Sequence, residues 1–132
     1  MDYLFDTNIC IYIIKKKSPA LLDKLSGFPF DSISISSITI AELHYGVDKS
    51  LFPVKNLFAL QKFLTPFNIV DFDYQAAVEY GKIRALLKKK GTPIGPMDML
   101  IAACAKSRGL TLFSNNLKDF SRIESLSLEN WV

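Results

Sequence analysis

The 132-residue sequence predicts an α/β fold: a central, mostly parallel sheet of about four to five strands with helices on both faces. Three observations predict it. Short apolar runs alternate with longer stretches of helical spacing. The first run, residues 2–5, is apolar after Asp2, as a strand buried on both faces must be. Asp6 follows it at once, which places a carboxylate at the carboxyl end of a strand, the edge where open parallel sheets gather ligands.

The elements follow in order. After the strand at 2–5, Asn8 caps a helix to about Lys16. Ser18-Pro19 opens the next helix, with proline at the first helical position, where its missing N–H has no partner to lose. Gly27 ends that helix. Residues 32–36, Ser-Ile-Ser-Ile-Ser, alternate with period two and form a strand. Ser36 or Ser37 caps the helix that carries Glu42, and Gly46 and Lys49-Ser50 mark its end. Pro53 begins a helix to about Leu64, closed by Thr65-Pro66. Residues 68–71 form a short strand. Asp73 caps a long helix over 74–90, whose apolar positions Ala76, Tyr80, Ile83 and Leu87 recur at helical spacing. The loop Gly91-Thr92-Pro93-Ile94-Gly95-Pro96 delivers Asp98 to the start of the next helix, which Gly109 stops. Residues 110–113 form a strand, and 126–128 a final edge strand. With no internal repeat, linker or low-complexity tract, the reading is one domain over 1–132.

Hydrophobic residues make up 49% of the chain and charged residues 22%, a composition that excludes disorder. The net charge of +3 permits a nucleic-acid partner without establishing one. Lys15-Lys16-Lys17 and Lys88-Lys89-Lys90 are clustered, and Arg84 lies one turn before the second cluster. Each cluster reads either as a solvated helix end, where cations favour the macrodipole, or as a contact for a phosphate backbone. Cys10 and Cys104 fall in apolar helical stretches and read as buried free thiols in a reducing cytosol. No CxxC or histidine spacing supports zinc. No signal-like N-terminus and no apolar run near ~18 residues appears, so the expectation is a cytoplasmic protein with no membrane span.

The acids carry the chemistry. Glu42 sits in Ile38-Thr39-Ile40-Ala41-Glu42-Leu43, and Asp98 in Pro96-Met97-Asp98-Met99-Leu100. Carboxylates are rarely buried unless paired or bound to a metal. Asp6, Asp98, Asn116 and Asp119 mark strand ends or helix starts that converge at one sheet edge. Glu42 approaches from the side, on a helix face shared with Ile38, Ala41 and Tyr45. Separately, Asp6 reads equally as a helix cap, Asp98 as a first-turn acid and Glu42 as a lysine's partner, while Lys118-Asp119-Phe120 resembles an exposed turn. Together they point to one shared cation. Hard oxygen ligands select Mg²⁺ or Mn²⁺, ions suited to phosphodiester hydrolysis. His44, the only histidine, falls on another face and reads as structural or exposed.

These segments resemble the PIN-domain ribonucleases of the VapC toxin type. The matching residues are Leu4-Phe5-Asp6-Thr7-Asn8, the run from Ser37 to Gly46, the run from Gly91 to Asp98, the run from Leu112 to Phe120, and the ending Leu128-Glu129-Asn130-Trp131. The resemblance implies a PIN fold and a Mg²⁺- or Mn²⁺-dependent endoribonuclease that cuts a specific structured RNA, tRNA foremost. It implies an acidic centre of Asp6, Glu42 and Asp98, with Asp6 and Asp98 as principal metal ligands. Where many PIN domains carry a further Asp, this chain has Asn116, which brings no charge; Asp119 supplements it. Thr7 and Ser114 resemble hydroxyls that orient the acids. Arg84 and Lys88 would hold RNA backbone, contacts that position without specifying. The resemblance further implies a VapB-like antitoxin that blocks the groove, a toxin homodimer within a larger complex, and promoter DNA bound through the antitoxin. Two other readings stand beside it: an Asp-dependent phosphoryl-transfer enzyme of the haloacid-dehalogenase or receiver type, and a non-catalytic PIN-like domain whose acids bind a partner's arginines.

Overall fold

The sheet ladder begins at Asp2, whose N–H donates to Ser32 O and whose carbonyl accepts from Thr111 N. The computed structural model describes residues 2–130; Trp131 lies outside them. Five strands, β1 (Tyr3–Phe5), β2 (Ile33–Ser36), β3 (Asn68–Val70), β4 (Thr111–Phe113) and β5 (Leu128–Glu129), form one sheet in the order β3-β2-β1-β4-β5. Every pairing is parallel, so the expected mostly parallel sheet is wholly so. The helices are α1 (Thr7–Ile14), α2 (Pro19–Ser26), α3 (Ser37–Asp48), α4 (Pro53–Leu64), α5 (Tyr74–Lys90), α6 (Pro96–Arg108) and α7 (Leu117–Phe120).

Successive strand residues point to opposite faces, and both faces are covered. Leu4 and Leu112 pack into one core with Ile83, Leu87 and the apolar stripe Ile101–Ala105 of α6. Phe5, Ile33, Ile35 and Phe113 pack into the other, with Ile9, Leu21, Leu43 and Leu60 from α1 to α4. Phe113 stacks against Phe5 at 5.4 Å and Tyr3 at 4.7 Å between ring centroids. Burying each such side chain contributes about 1.5–3 kcal/mol, which holds the strand ends rigidly in register.

Local signals are obeyed with instructive exceptions. Ser18 caps α2 with Pro19 at its first position, and Asp73 caps α5. Gly91 and Gly109 adopt left-handed φ of 70° and 66° at the ends of α5 and α6, where a side chain would be strained. The cap of α1, however, is Asp6 rather than Asn8, because Asp6 Oδ1 accepts from Ile9 N at 2.9 Å. Helix α1 stops at Ile14, short of the lysine cluster. Gly46 lies inside α3, which ends at Asp48 with Lys49 as its C-cap, so of the two expected end signals only Lys49-Ser50 holds. The alternating 32–36 segment is buried on both faces: Ser34 and Ser36 are small enough to pack under helices rather than face water. The last strand falls at Leu128–Glu129, later than 126–128.

Ser36 is the hinge between sheet and site. Its hydroxyl accepts from Thr39 N at 3.1 Å and so fixes the start of the helix that carries Glu42. Ser36→Ala should lower unfolding free energy by about 1 kcal/mol, read from the urea midpoint. An unchanged midpoint would show that packing alone sets the helix start.

Candidate functional site

Asp6 is the most constrained acid. Its N–H donates to Phe113 O at 3.1 Å, its carboxylate caps α1, and only 3% of it is exposed. Capping and membership of the acidic cluster are therefore one arrangement, not alternatives. Ser114, fully buried at the end of β4, hydrogen-bonds the Asp6 carboxylate and accepts from Asn116 N at 2.9 Å. Burial lifts the Asp6 pKa from an ordinary 3.8 to about 6. The Ser114 and Ile9 hydrogen bonds oppose that rise, and the charges of Asp98 and Glu42 add to it.

Glu42 is half-buried on α3 and accepts from Thr7 Oγ1 at 2.5 Å. Thr7 Oγ1 also lies 3.2 Å from Thr39 Oγ1. Of the anticipated inward face of Ile38, Ala41 and Tyr45, only Ile38 packs against a core; Ala41 is exposed and Tyr45 is 67% exposed. Glu42 thus stands at the margin of a groove, held by a threonine rather than a lysine. Asp98, half-buried in the first turn of α6, has a raised pKa, chiefly through burial and then through the charges of Glu42 and Asp119. The Asn116 carboxamide beside it opposes the rise.

The structure brings Asp6, Glu42, Asp98, Asn116 and Asp119 to one edge, with Thr7 and Ser114 beneath them. Asp119 is not an exposed turn. It lies in α7, half-buried, accepts from Asn116 Nδ2 at 3.2 Å and faces Arg122 Nη1 at 3.6 Å. Arg122 was missed by sequence reasoning; a helical reading of 117–120 would have placed it one turn from Asp119. Arg84 and Lys88 are not in the cluster. Arg84 donates to Tyr80 OH at 3.0 Å on the exposed face of α5, and among the described residues no hydrogen bond or ion pair joins either cation to the acids. His44 is exposed.

The donor set consists of carboxylate, amide and hydroxyl oxygens. Among the described residues no three acidic, His or Cys side chains lie close enough to enclose an ion. That spread fits a hard ion held by one or two carboxylates and retaining water, and it does not fit a dry protein cage. Beside Glu42 opens a groove of about 880 Å³ between α1, α3 and α4, lined by Ile11, Ile14, Leu60 and Met97 among others. Among the described residues no helix is long and apolar enough to cross a membrane.

A PIN-domain family model matches residues 3–126, and the chain belongs to that family. Within the family it belongs with the VapC ribonucleases. It is 43% identical over 131 residues to the tRNA(fMet)-specific endonuclease VapC of Salmonella typhimurium, a match covering 99% of this chain and 98% of that one. It is 42% identical over 132 residues to ribonuclease VapC2 of Haemophilus influenzae, covering 100% and 99%. Among solved structures it superimposes on the Rickettsia felis VapBC2 complex bound to a promoter DNA fragment, with a TM-score of 0.94, 42% identity and full coverage of both chains. The haloacid-dehalogenase and receiver readings fall with this membership.

The Asp6 pKa has a thermodynamic consequence. A carboxyl whose folded pKa exceeds its unfolded one binds its proton more tightly when folded. Its stabilising contribution is complete below pH ~3.8 and is lost as pH rises through about 6. Metal-free protein should therefore lose up to about 3 kcal/mol from this group between pH 4 and 7. Asn caps helices as well as Asp, so Asp6→Asn should melt higher than wild type at pH 7 and show a flatter pH dependence by calorimetry. A lower melting temperature at pH 7 would mean that the carboxylate stabilises the apo fold.

Proposed function

We propose that this chain is the toxin of a toxin–antitoxin pair, an endoribonuclease that cuts a structured RNA of the tRNA class at the Asp6–Glu42–Asp98 centre. The observation that carries the reading is the electrostatic coupling of those acids at one strand edge of a VapC-family fold. The 43%-identical Salmonella relative, named for tRNA(fMet), favours tRNA as the substrate class. The whole of 1–132 acts as one PIN unit.

PIN-domain ribonucleases as a class use a divalent metal, and Mg²⁺ or Mn²⁺ suits these oxygen donors. Such an ion supplies charge that neutralises acids and phosphate alike and makes water a better nucleophile. Asp6 and Asp98 would hold it. Glu42, on the groove side and oriented by Thr7, positions water. Ser114 holds Asp6 in place, and Asn116 with Asp119 completes the centre. Arg84 and Lys88 meet RNA phosphates away from the reacting bond.

The partner is a VapB-like antitoxin. The groove between α1, α3 and α4 gives it an apolar seat ending at Glu42, with Ile11 and Ile14 on one wall. Asn56, Ala59 and Leu60 face the groove from α4. A basic side chain from the antitoxin offsets the coupled acids, since a guanidinium bridges two carboxylates. The toxin acts in the cytoplasm, dimerises in the inhibited complex, and that complex binds promoter DNA through the antitoxin.

Asp6→Asn and Asp98→Asn should each lower cleavage of purified tRNA by at least roughly 100-fold with unchanged circular dichroism. Glu42→Gln should be impaired less. A chelator should abolish wild-type cleavage, and Mg²⁺ or Mn²⁺ should restore it. Full activity in either Asp variant would refute the site.

Antitoxin binding should compete with the metal. Raising Mn²⁺ in a binding assay should weaken the complex, and Asp98→Asn should weaken it further. Affinity indifferent to both would place the inhibitor outside the acidic centre.

A further inference from the structure

Arg122 is not one of the acidic cluster, yet it touches both the loop that leads to Asp98 and Asp119 itself. Its Nη1 donates to Pro93 O at 3.1 Å, in the loop that leads into α6 and Asp98. The same nitrogen lies 3.6 Å from Asp119 Oδ1. Asp119 Oδ2 in turn accepts from Asn116 Nδ2 at 3.2 Å, and the Asn116 carboxamide lies beside Asp98 and draws its pKa down. Asp98 is five residues along the chain from Pro93, so the contacts close a ring: Pro93, Arg122, Asp119, Asn116, Asp98 and back through the backbone.

The chemistry of Asn116 gives the ring its purpose. A carboxylate offers acceptors only, and Nδ2 carries two protons, so one can stay on Asp119 while the other turns to Asp98. The amide therefore joins two acids without adding charge, which an aspartate at this position cannot do. The geometry holds only if Asp119 stays fixed beside Asn116. An isolated exposed i,i+3 ion pair would not ensure that. Arg122 is part-buried, with 32% of its side chain exposed, and the Pro93 carbonyl anchors it at a second point.

We propose that Arg122 is a positioning residue: by bracing Asp119 against the 91–95 loop it fixes the Asn116 carboxamide as a two-proton bridge that aims Asp98. On this reading Asp119 acts through Asn116 and does not meet the metal or the RNA. The inference rests on the ribonuclease reading for its catalytic consequence, but the bridge itself is a property of the RNA-free protein.

Two measurements test it. In RNA-free wild-type protein, ¹⁵N spectra should show the two Asn116 side-chain amide protons separately shifted and protected from exchange. Arg122→Gln and Asp119→Ala should each return them to solvent-like values while the remaining spectrum keeps its dispersion. In tRNA cleavage, each variant should lower kcat roughly 10-fold with KM nearly unchanged, and the double variant should be no worse than either single one. Amide signals unaltered in Arg122→Gln would overturn the proposal. A raised KM with intact kcat would also overturn it, since Arg122 would then be a contact for RNA phosphate. Additive losses in the double variant would overturn the shared ring. If wild-type protein cleaves no RNA, the ribonuclease reading fails, and the amide spectra alone still decide whether Arg122 sets the bridge.

Discussion

Repulsion between carboxylates gathered at one sheet edge is the constraint around which the rest of this molecule is arranged. The strand order puts β1 between β2 and β4. Because Phe5 pairs with Ile35 and with Phe113, the next residues in register are Asp6, Ser36 and Ser114, all buried. This polar row ends three adjacent strands, and each member secures its own stretch of chain. Asp6 caps α1, Ser36 caps α3, and Ser114 ties Asp6 to the chain at Asn116. From this row the chain sends Glu42 in on α3, while α6 brings Asp98 from the far side.

The arrangement stores unfavourable electrostatics in an otherwise well-packed fold. Burial is the largest influence on Asp6 and on Asp98, and neighbouring carboxylates add to it. The aromatic and aliphatic cores on both faces of the sheet supply the stability that tolerates this repulsion. Neutral groups soften the crowding without abolishing it. Thr7 donates to Glu42, Ser114 bonds Asp6, and Asn116 serves Asp98 and Asp119. A cation or an arginine at this edge would relieve what the hydroxyls and amide leave.

Much of this was legible in the residues. Apolar runs ended by Asp6 and Ser114 announced strand ends, and Gly91 and Gly109 announced helix stops, because glycine tolerates the left-handed conformation found there. Asp6, Glu42 and Asp98 stood out because charge inside apolar runs is costly. Three features were not legible. Asn8 is displaced as a cap because Asp6, two residues earlier, already reaches the first free N–H groups of α1. The outward drift of Ala41 and Tyr45 depends on how α3 lies against the groove, which helical periodicity does not encode. Asp119 looked exposed because its partners, Asn116 and Arg122, flank a four-residue helix too short to leave a periodic pattern.

If these acids form one proton-coupled cation site, metal binding must displace the proton that burial retains on Asp6. Calorimetric titration of the RNA-free protein with Mn²⁺, repeated from pH 5 to 8 in buffers of different ionisation enthalpy, reads that coupling most directly. Binding should be weak below pH ~6 and tighten as pH rises, with proton release near that pH and almost none above it. Asp6→Asn should lose both the affinity and the proton release. Affinity independent of pH, or equal in Asp6→Asn, would contradict a shared, proton-coupled site.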